Sequence, residues 1–459
     1  MSVTRTIEAL FRRFLPSPFA IAVILSLLAL FLGGVFGVYP DGTNNWAGTL
    51  RAWESGLWNR NLLVFAYQMM LILVLGHVLV LSAPAEKLLS ALTARAGNAA
   101  GAALLVASTT MLVSFFNWGL GLIFGALLAR KVGEHARDRG IPINYPLIGA
   151  CGYLGLMVWH GGISGSAPIK ASEPGHIHNL LEGILPDASL AALPGSIPTS
   201  ETVFGPWNLG IFLVVWLVVS GLAYWLGRTT RTGPVELPQS VPEAETESDP
   251  QQDGDRADRS PWLSRLFAAL VLAAFLLQYL PQLRQLNLTP DMLNFFMFGL
   301  ALLLHGNFRN FLRAVETAIG DTAGILIQFP LYFGIMGIMT ESGLIHRVSD
   351  FFIAVSTQRS FPLFTFFSAG LVNLFVPSGG GQWAVQGPII LQAALELKVP
   401  LEKALMALAY GDQLTNMLQP FWALPLLGIT RLKAREILPF TLLFMCAAGG
   451  IYLAGLLIW

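Results

Sequence analysis

A chain of 459 residues that is 54% hydrophobic and only 12% charged, with a mean hydropathy of +0.62, falls outside the range of soluble domains, where roughly a quarter of residues are charged. Its 27 basic and 27 acidic residues cancel, which removes any electrostatic case for nucleic acid. Apolar runs of about 20 residues recur along the sequence, so the expected fold is an all-α polytopic membrane protein and not a β-barrel.

The first apolar run, residues 19–38, follows Arg5, Arg12 and Arg13 and lacks a small-residue cleavage pattern, which makes it a retained first helix. Trp46, Trp53 and Trp58 in the short polar loop behind it fit an interfacial aromatic belt. A span over residues 61–81 ends at Ser82-Ala83-Pro84, and an amphipathic piece with Glu86, Lys87 and Arg95 follows. Residues 99–131 read as an apolar hairpin broken at Ser114-Phe-Phe-Asn117-Trp118-Gly119-Leu-Gly121. Beyond a basic loop (Arg130, Lys131, Arg137, Arg139), the span from residue 145 is interrupted at Trp159-His160-Gly161-Gly162-Ile-Ser164-Gly165-Ser166-Ala-Pro168. A loop then leads to an unbroken span over residues 206–226.

Residues 228–260 turn rich in Pro, Glu, Asp, Gln and Ser, the composition of a flexible linker. Spans resume at 261–281, 291–305 and 322–340, and a second hairpin covers 361–397. At its centre lies Asn373-Leu-Phe-Val-Pro377-Ser378-Gly379-Gly380-Gly381-Gln382-Trp383. Pro377 disfavours helix at Val376, and three glycines penalise any helical turn. Broken backbone at membrane depth is tolerated only where protein buries it or water reaches it. A helix restarting near Gln382 would point its positive end at the break, a setting suited to a small anion; the alternative is a tight turn between two ordinary spans. Another interrupted span, 403–428, carries Tyr410-Gly411-Asp412-Gln413-Leu-Thr415-Asn416-Met-Leu-Gln419-Pro420, and a last helix covers 437–457.

With both hairpins re-entrant and the N-terminus cytoplasmic, nine full spans place 19 of the 27 Lys and Arg residues inside. The halves echo each other at an offset of about 260 residues: Leu75-Gly76, Ser82 and Lys87 match Met336-Gly337, Ser342 and Arg347, and each hairpin break and interrupted span has its counterpart. An odd number of crossings between equivalents inverts the second copy, and inverted repeats with matched broken helices point to a secondary transporter. The expected division is 1–60 (first helix and interfacial loop), 61–227 (repeat 1), 228–260 (cytoplasmic linker) and 261–459 (an additional helix and repeat 2). Cys151 and Cys446 lie in separate apolar segments and suggest neither a metal pair nor a disulfide.

Charges inside spans mark function. Asp412 could carry a proton, ligate sodium, or simply cap a half-helix restarting after Gly411; His160 could sense protons or be held by backbone carbonyls. Thr415, Asn416 and Asn373 join these two as candidate ion-coupling residues, and Na+ is the one metal under consideration. No Lys or Arg falls at the expected midplane, so a carboxylate would be held by Ser114, Asn117, Ser164, Ser378, Gln382 and the amides of Gly379, Gly380 and Gly381. Trp118 and Trp383 would line its tail. Neither a His-Glu-x-x-His, a P-loop nor a Gly-x-Ser-x-Gly elbow occurs. No enzyme activity and no cofactor is expected.

The run Val372-Asn-Leu-Phe-Val-Pro-Ser-Gly-Gly-Gly-Gln-Trp-Ala-Val-Gln-Gly-Pro388 resembles the signature of the bacterial short-chain fatty acid transporter family. Asn117-Trp118-Gly119 and Tyr410-Gly411-Asp412 with Asn416 and Gln419-Pro420 fit it too. The resemblance implies uptake of monocarboxylates of the butyrate or acetoacetate class across a bacterial inner membrane, and the candidate ion-coupling residues add the expectation of a co-transported cation, H+ or Na+. At fold level it is similar to the larger ion transporter superfamily, which implies paired re-entrant hairpins, elevator-type movement and a homodimer. A carrier for dicarboxylates or another small anion is the alternative, and a membrane-embedded enzyme converging on His160 and Asp412 a second.

Overall fold

A computed structural model of the chain describes residues 16–39, 44–182, 190, 193–235, 255–284 and 289–459. The linker expected at 228–260 and the arginines before the first helix therefore lie mostly or wholly outside the described residues. The described chain is all-helical. Among the described residues, seven helices are long and apolar enough to cross a membrane.

The first half contains α1 (Pro18–Phe36), α2 (Asn45–Leu57), α3 (Arg60–Val80), α4 (Ala83–Thr93), α5 (Ala99–Phe116), α6 (Trp118–Asp138), α7 (Tyr145–Tyr153), a 3₁₀ turn (Leu154–Met157), α8 (Ser166–Ser172), α9 (His176–Leu181) and α10 (Pro206–Thr229). After α11 (Asp255–Arg259), α12 (Pro261–Arg284), α13 (Pro290–His305) and α14 (Phe308–Ile319), the pattern starts again. It runs through α15 (Ala323–Glu341), α16 (Leu344–Ala354), α17 (Phe361–Asn373), α18 (Gly379–Glu396), α19 (Leu401–Thr415), a 3₁₀ turn (Asn416–Leu418), α20 (Pro420–Thr430) and α21 (Ala434–Ile458). Amphipathic α4 and α16 start 261 residues apart (83 and 344), as do the second hairpin arms α6 and α18 (118 and 379). The repeat read from short motifs is thus present element by element.

Three local readings change. The Trp46–Trp58 region is a helix and not a loop: Asn44 caps it, and on its buried face Gly48 packs on Tyr39 while Ala52 and Gly56 lie against α15. The approach is close enough that a Cβ on Gly337 of α15 would strike the Ala52 carbonyl. The second hairpin restarts at Gly379, with all three glycines in the first turn of α18 and Ser378 as its N-cap. Asp412 lies inside α19, so it caps nothing; the break falls later, at 416–419.

Candidate functional site

The two interrupted spans cross at their breaks, where each satisfies backbone groups the other leaves without helical partners. Gln413 Oε1 accepts from the amides of His160 (2.9 Å) and Gly161 (3.0 Å). Tyr153 donates its hydroxyl to the carbonyls of Asn416 (3.0 Å) and Gln419 (3.1 Å), and Tyr452 donates to Met157 O (2.8 Å). Asn208 on α10 donates to Gly161 O (2.8 Å) and accepts from Tyr410 (2.8 Å). An unpaired buried backbone group costs on the order of 1–3 kcal/mol. These side chains are what permit non-helical chain in the centre of an apolar protein.

Beside the crossing, His160 Nδ1 meets Asp412 Oδ2 in a short contact, both residues essentially inaccessible. His160 Nε2 accepts from the Ala167 amide in the first turn of α8 (3.0 Å). That acceptor role leaves Nδ1 as the nitrogen facing Asp412, in a close contact that lacks hydrogen-bond geometry. One turn further along, Asn373 Nδ2 donates to three oxygens: Asp412 O (2.8 Å), Thr415 Oγ1 (2.9 Å) and Asn416 Oδ1 (3.0 Å). Asn373 Oδ1 and Gln419 Oε1 are buried nearby without partners, and Gln419 Nε2 makes a short bond to Asn373 O. The result is an oxygen-rich nest around a single amide nitrogen, in the oxygen chemistry that suits a hard monovalent cation.

The tip of the second hairpin rests on this pair. A Cβ on Gly379 would come within 2.7 Å of Trp159, 2.8 Å of His160 and 3.0 Å of Asp412 Oδ2. Only glycine permits that approach. Ser378 Oγ accepts from Gly381 N (3.2 Å), while the first amides of α18, those of Gly379 and Gly380, have no intrahelical acceptor. Gly380 is exposed, and Ser378, Gly381 and Ser166 are half-buried around it. An aromatic cluster flanks the tip: Trp118 lies 5.9 Å from Trp159 and 5.1 Å from Trp422 by ring centroid.

The profile of the short-chain fatty acid transporter family matches residues 1–459. The chain belongs to that family. A protein of Escherichia coli (strain K12) provisionally named a short-chain fatty acid transporter is 36% identical over 469 residues, spanning 99% of this chain and 98% of its own. A relative of the same name from Haemophilus influenzae (strain ATCC 51907 / DSM 11121 / KW20 / Rd) is 34% identical over 460 residues, again 99% and 98%. Among solved structures, the Alcanivorax borkumensis YdaH transporter, described as having an unusual topology, aligns over 96% of this chain and 97% of its own, at 16% identity and a TM-score of 0.45. The family and its relatives are transporters and not enzymes.

In this short-chain fatty acid transporter family member, the structure gathers Asn373, Asp412, Thr415, Asn416, His160, Ser378 and Gly379–Gly381 around one centre. Others have different surroundings. Gln382 points back into its own hairpin, donating to Ala369 O (2.9 Å) and Gln386 Oε1 (2.8 Å). Trp383 donates its indole N–H to His176 Nε2 on α9 (3.0 Å). Burial holds the His176 pKa below the usual range, against the opposing pull of Glu173. Asn117 and Ser164 are caps: Asn117 Oδ1 accepts from Leu120 N (2.9 Å) and Ser164 Oγ from Trp118 N (2.9 Å). Ser114 Oγ is buried and unpartnered. The sequence reading gave no role to Gln413, Gln419, Tyr153 or Asn208. A polar side chain within an apolar span was the available signal for three of them, and Asn208 carried it inside the span read as unbroken.

Proposed function

We propose that the protein is a secondary transporter that takes up short-chain monocarboxylates of the butyrate class together with a cation. The observation carrying this reading is the N-terminus of α18, where the amides of Gly379 and Gly380 lack an intrahelical acceptor, Gly380 is exposed, and Gly379 packs against His160 and Asp412. The carboxylate would lie on those amides with help from Ser378 and Ser166, a helix-terminus anion site that needs no basic residue. The Trp118–Trp159–Trp422 surface would take a short aliphatic tail. A dicarboxylate would leave its second charge against aromatic rings.

Sodium is the favoured coupling ion. Rotation of the Asn373 amide would exchange its nitrogen for Oδ1 among Asp412 O, Thr415 Oγ1 and Asn416 Oδ1, leaving a space bounded by oxygens that a cation would fill. The His160–Asp412 contact supports a second reading, with a proton carried on Asp412. In this scheme the hairpins are re-entrant, the second repeat is inverted, the N-terminus is cytoplasmic in a bacterial inner membrane, and residues 61–227 and 261–459 carry the two repeats. Alternating access would move the site between faces, within a homodimer.

Uptake of labelled butyrate into proteoliposomes, with sodium and pH gradients imposed separately, tests the proposal. Accumulation of unaltered butyrate on a sodium gradient alone is the expected result. Accumulation on a pH gradient alone would transfer the coupling to the His160–Asp412 pair, and no accumulation of monocarboxylate under either gradient would overturn the reading.

A further inference from the structure

Away from the crossing, a cavity of about 740 Å³ opens between α3, α12, α13 and α14. Its lining is graded. One end holds Gln278, Tyr279, Asp291 and Asn294, and the other is apolar, with Leu75 of α3, Phe298 of α13 and Phe311 of α14. Along α13 the change from Asp291 to Phe298 takes seven residues, about 10 Å at the helical rise of ~1.5 Å per residue. The outer wall is α12, whose Ala274 and Gln278 line the cavity and are themselves exposed, so the cavity is open along this wall.

The polar end is built. Gln68 Nε2 donates to Asp291 Oδ1 (2.7 Å), and Asn294 Nδ2 donates to the Gln68 carbonyl (3.0 Å). Because only the NH2 group can face a carbonyl oxygen, the Asn294 amide is set with its Oδ1 away from that carbonyl. Asn294 is only 7% exposed, and this Oδ1 is buried without a partner. Asp291 is the one charged residue lining the cavity, and neither Lys nor Arg joins it among the described residues. Such an end attracts a cation that can donate hydrogen bonds, and the apolar end calls for a hydrocarbon chain joined to it.

We propose that this cavity is a phospholipid site, taking an acyl chain between α3, α12 and α13 and the primary ammonium of a phosphatidylethanolamine headgroup at Asp291 and Asn294. The ammonium donates to the free Asn294 Oδ1 and to the Asp291 carboxylate. Its phosphate remains toward Tyr279 and Gln278, which can donate. A quaternary ammonium has no N–H to give and an anionic headgroup meets the Asp291 charge, so neither replaces it.

The test uses the full-length purified protein in nanodiscs of phosphatidylethanolamine, phosphatidylcholine or phosphatidylglycerol, with the lipid retained after transfer to detergent counted by native mass spectrometry. Retention of phosphatidylethanolamine about tenfold above the other two is expected, falling about tenfold in Asp291→Asn and lost in Leu75→Trp, which fills the cavity. Equal retention of the three lipids, or retention indifferent to Asp291→Asn in a variant of unchanged melting temperature, would overturn the proposal. So would an efficient disulfide between two copies carrying Leu71→Cys with lipid excluded, which would give the cavity to a second copy of the chain.

Discussion

The two hairpin tips occupy equivalent places in the repeat and are finished differently. At the first, a single residue, Asn117, separates α5 from α6, and the protein takes up all but one of the first-turn amides, that of Gly119. Ser164 accepts from Trp118 N, Asn117 from Leu120 N, and Phe115 O accepts from Ile163 N at 2.8 Å. At the second tip, Ser378 caps Gly381, but Gly380 is exposed and its nearest potential Cβ neighbour, Ser166, stands 3.9 Å away. One tip is closed by the protein's own hydrogen bonds and the other keeps its first amides for something else. The repeat thus presents two helix N-termini, and on the proposed reading it is their capping that leaves the second free for a ligand.

The largest effect is expected at Asp412, the acidic residue beneath the second tip. Asp412→Asn keeps the shape and replaces the carboxyl group that meets His160 Nδ1. If Asp412 carries the coupling proton, pH-gradient-driven butyrate accumulation should fall about a hundredfold or more, while exchange of internal for external butyrate persists in part. Normal accumulation in this variant would separate the pair from coupling. Next comes a matched pair of glycine replacements. Gly379→Ala must displace Trp159, His160 or Asp412, and uptake should drop by roughly tenfold. At Gly119, the first glycine of α6, the nearest atoms would be 3.6 Å away, so Gly119→Ala should leave uptake within about twofold. Equal effects at the two positions would mean that the tips are not functionally distinct. A smaller change is expected from Thr415→Val, which deletes one of the three oxygens around Asn373 Nδ2. The sodium concentration for half-maximal uptake should rise by roughly five- to tenfold with maximal velocity little altered. An unchanged sodium requirement would remove Thr415 from the ion site.

Much of this contrast was legible before any coordinates. Apolar runs announced the spans, and the Asn117, Ser378, His160 and Asp412 neighbourhoods stood out because polar and glycine-rich chain is costly in an apolar setting. Boundaries were less legible. The three glycines read as helix-breaking, but in the fold their missing side chains let the first turn of α18 settle onto Trp159 and His160, a contact between residues about 220 positions apart in sequence. Gln413, Tyr153 and Asn208 escaped notice for a related reason. Each satisfies a backbone group in a distant segment, and local pattern does not say which carbonyl or amide will be left exposed when two broken helices cross. Only the Gly48, Ala52 and Gly56 stripe of α2 was available locally, and the tryptophans beside it drew the reading toward a loop.

The smallest transport effect should come from the closed tip, and it sharpens the comparison most. Ser164→Ala deletes the acceptor for Trp118 N in a half-buried position, a loss of on the order of 1–3 kcal/mol in stability. If the first tip is structural, that loss appears as a lower melting temperature, while butyrate uptake per folded molecule stays within about twofold. A structural cap also has a specific rescue: Ser164→Thr keeps the hydroxyl and should recover most of the stability. Should Ser164→Ala instead raise the butyrate concentration for half-maximal uptake at unchanged stability, Ser164 contacts substrate, and the first helix N-terminus is as much a binding element as the second.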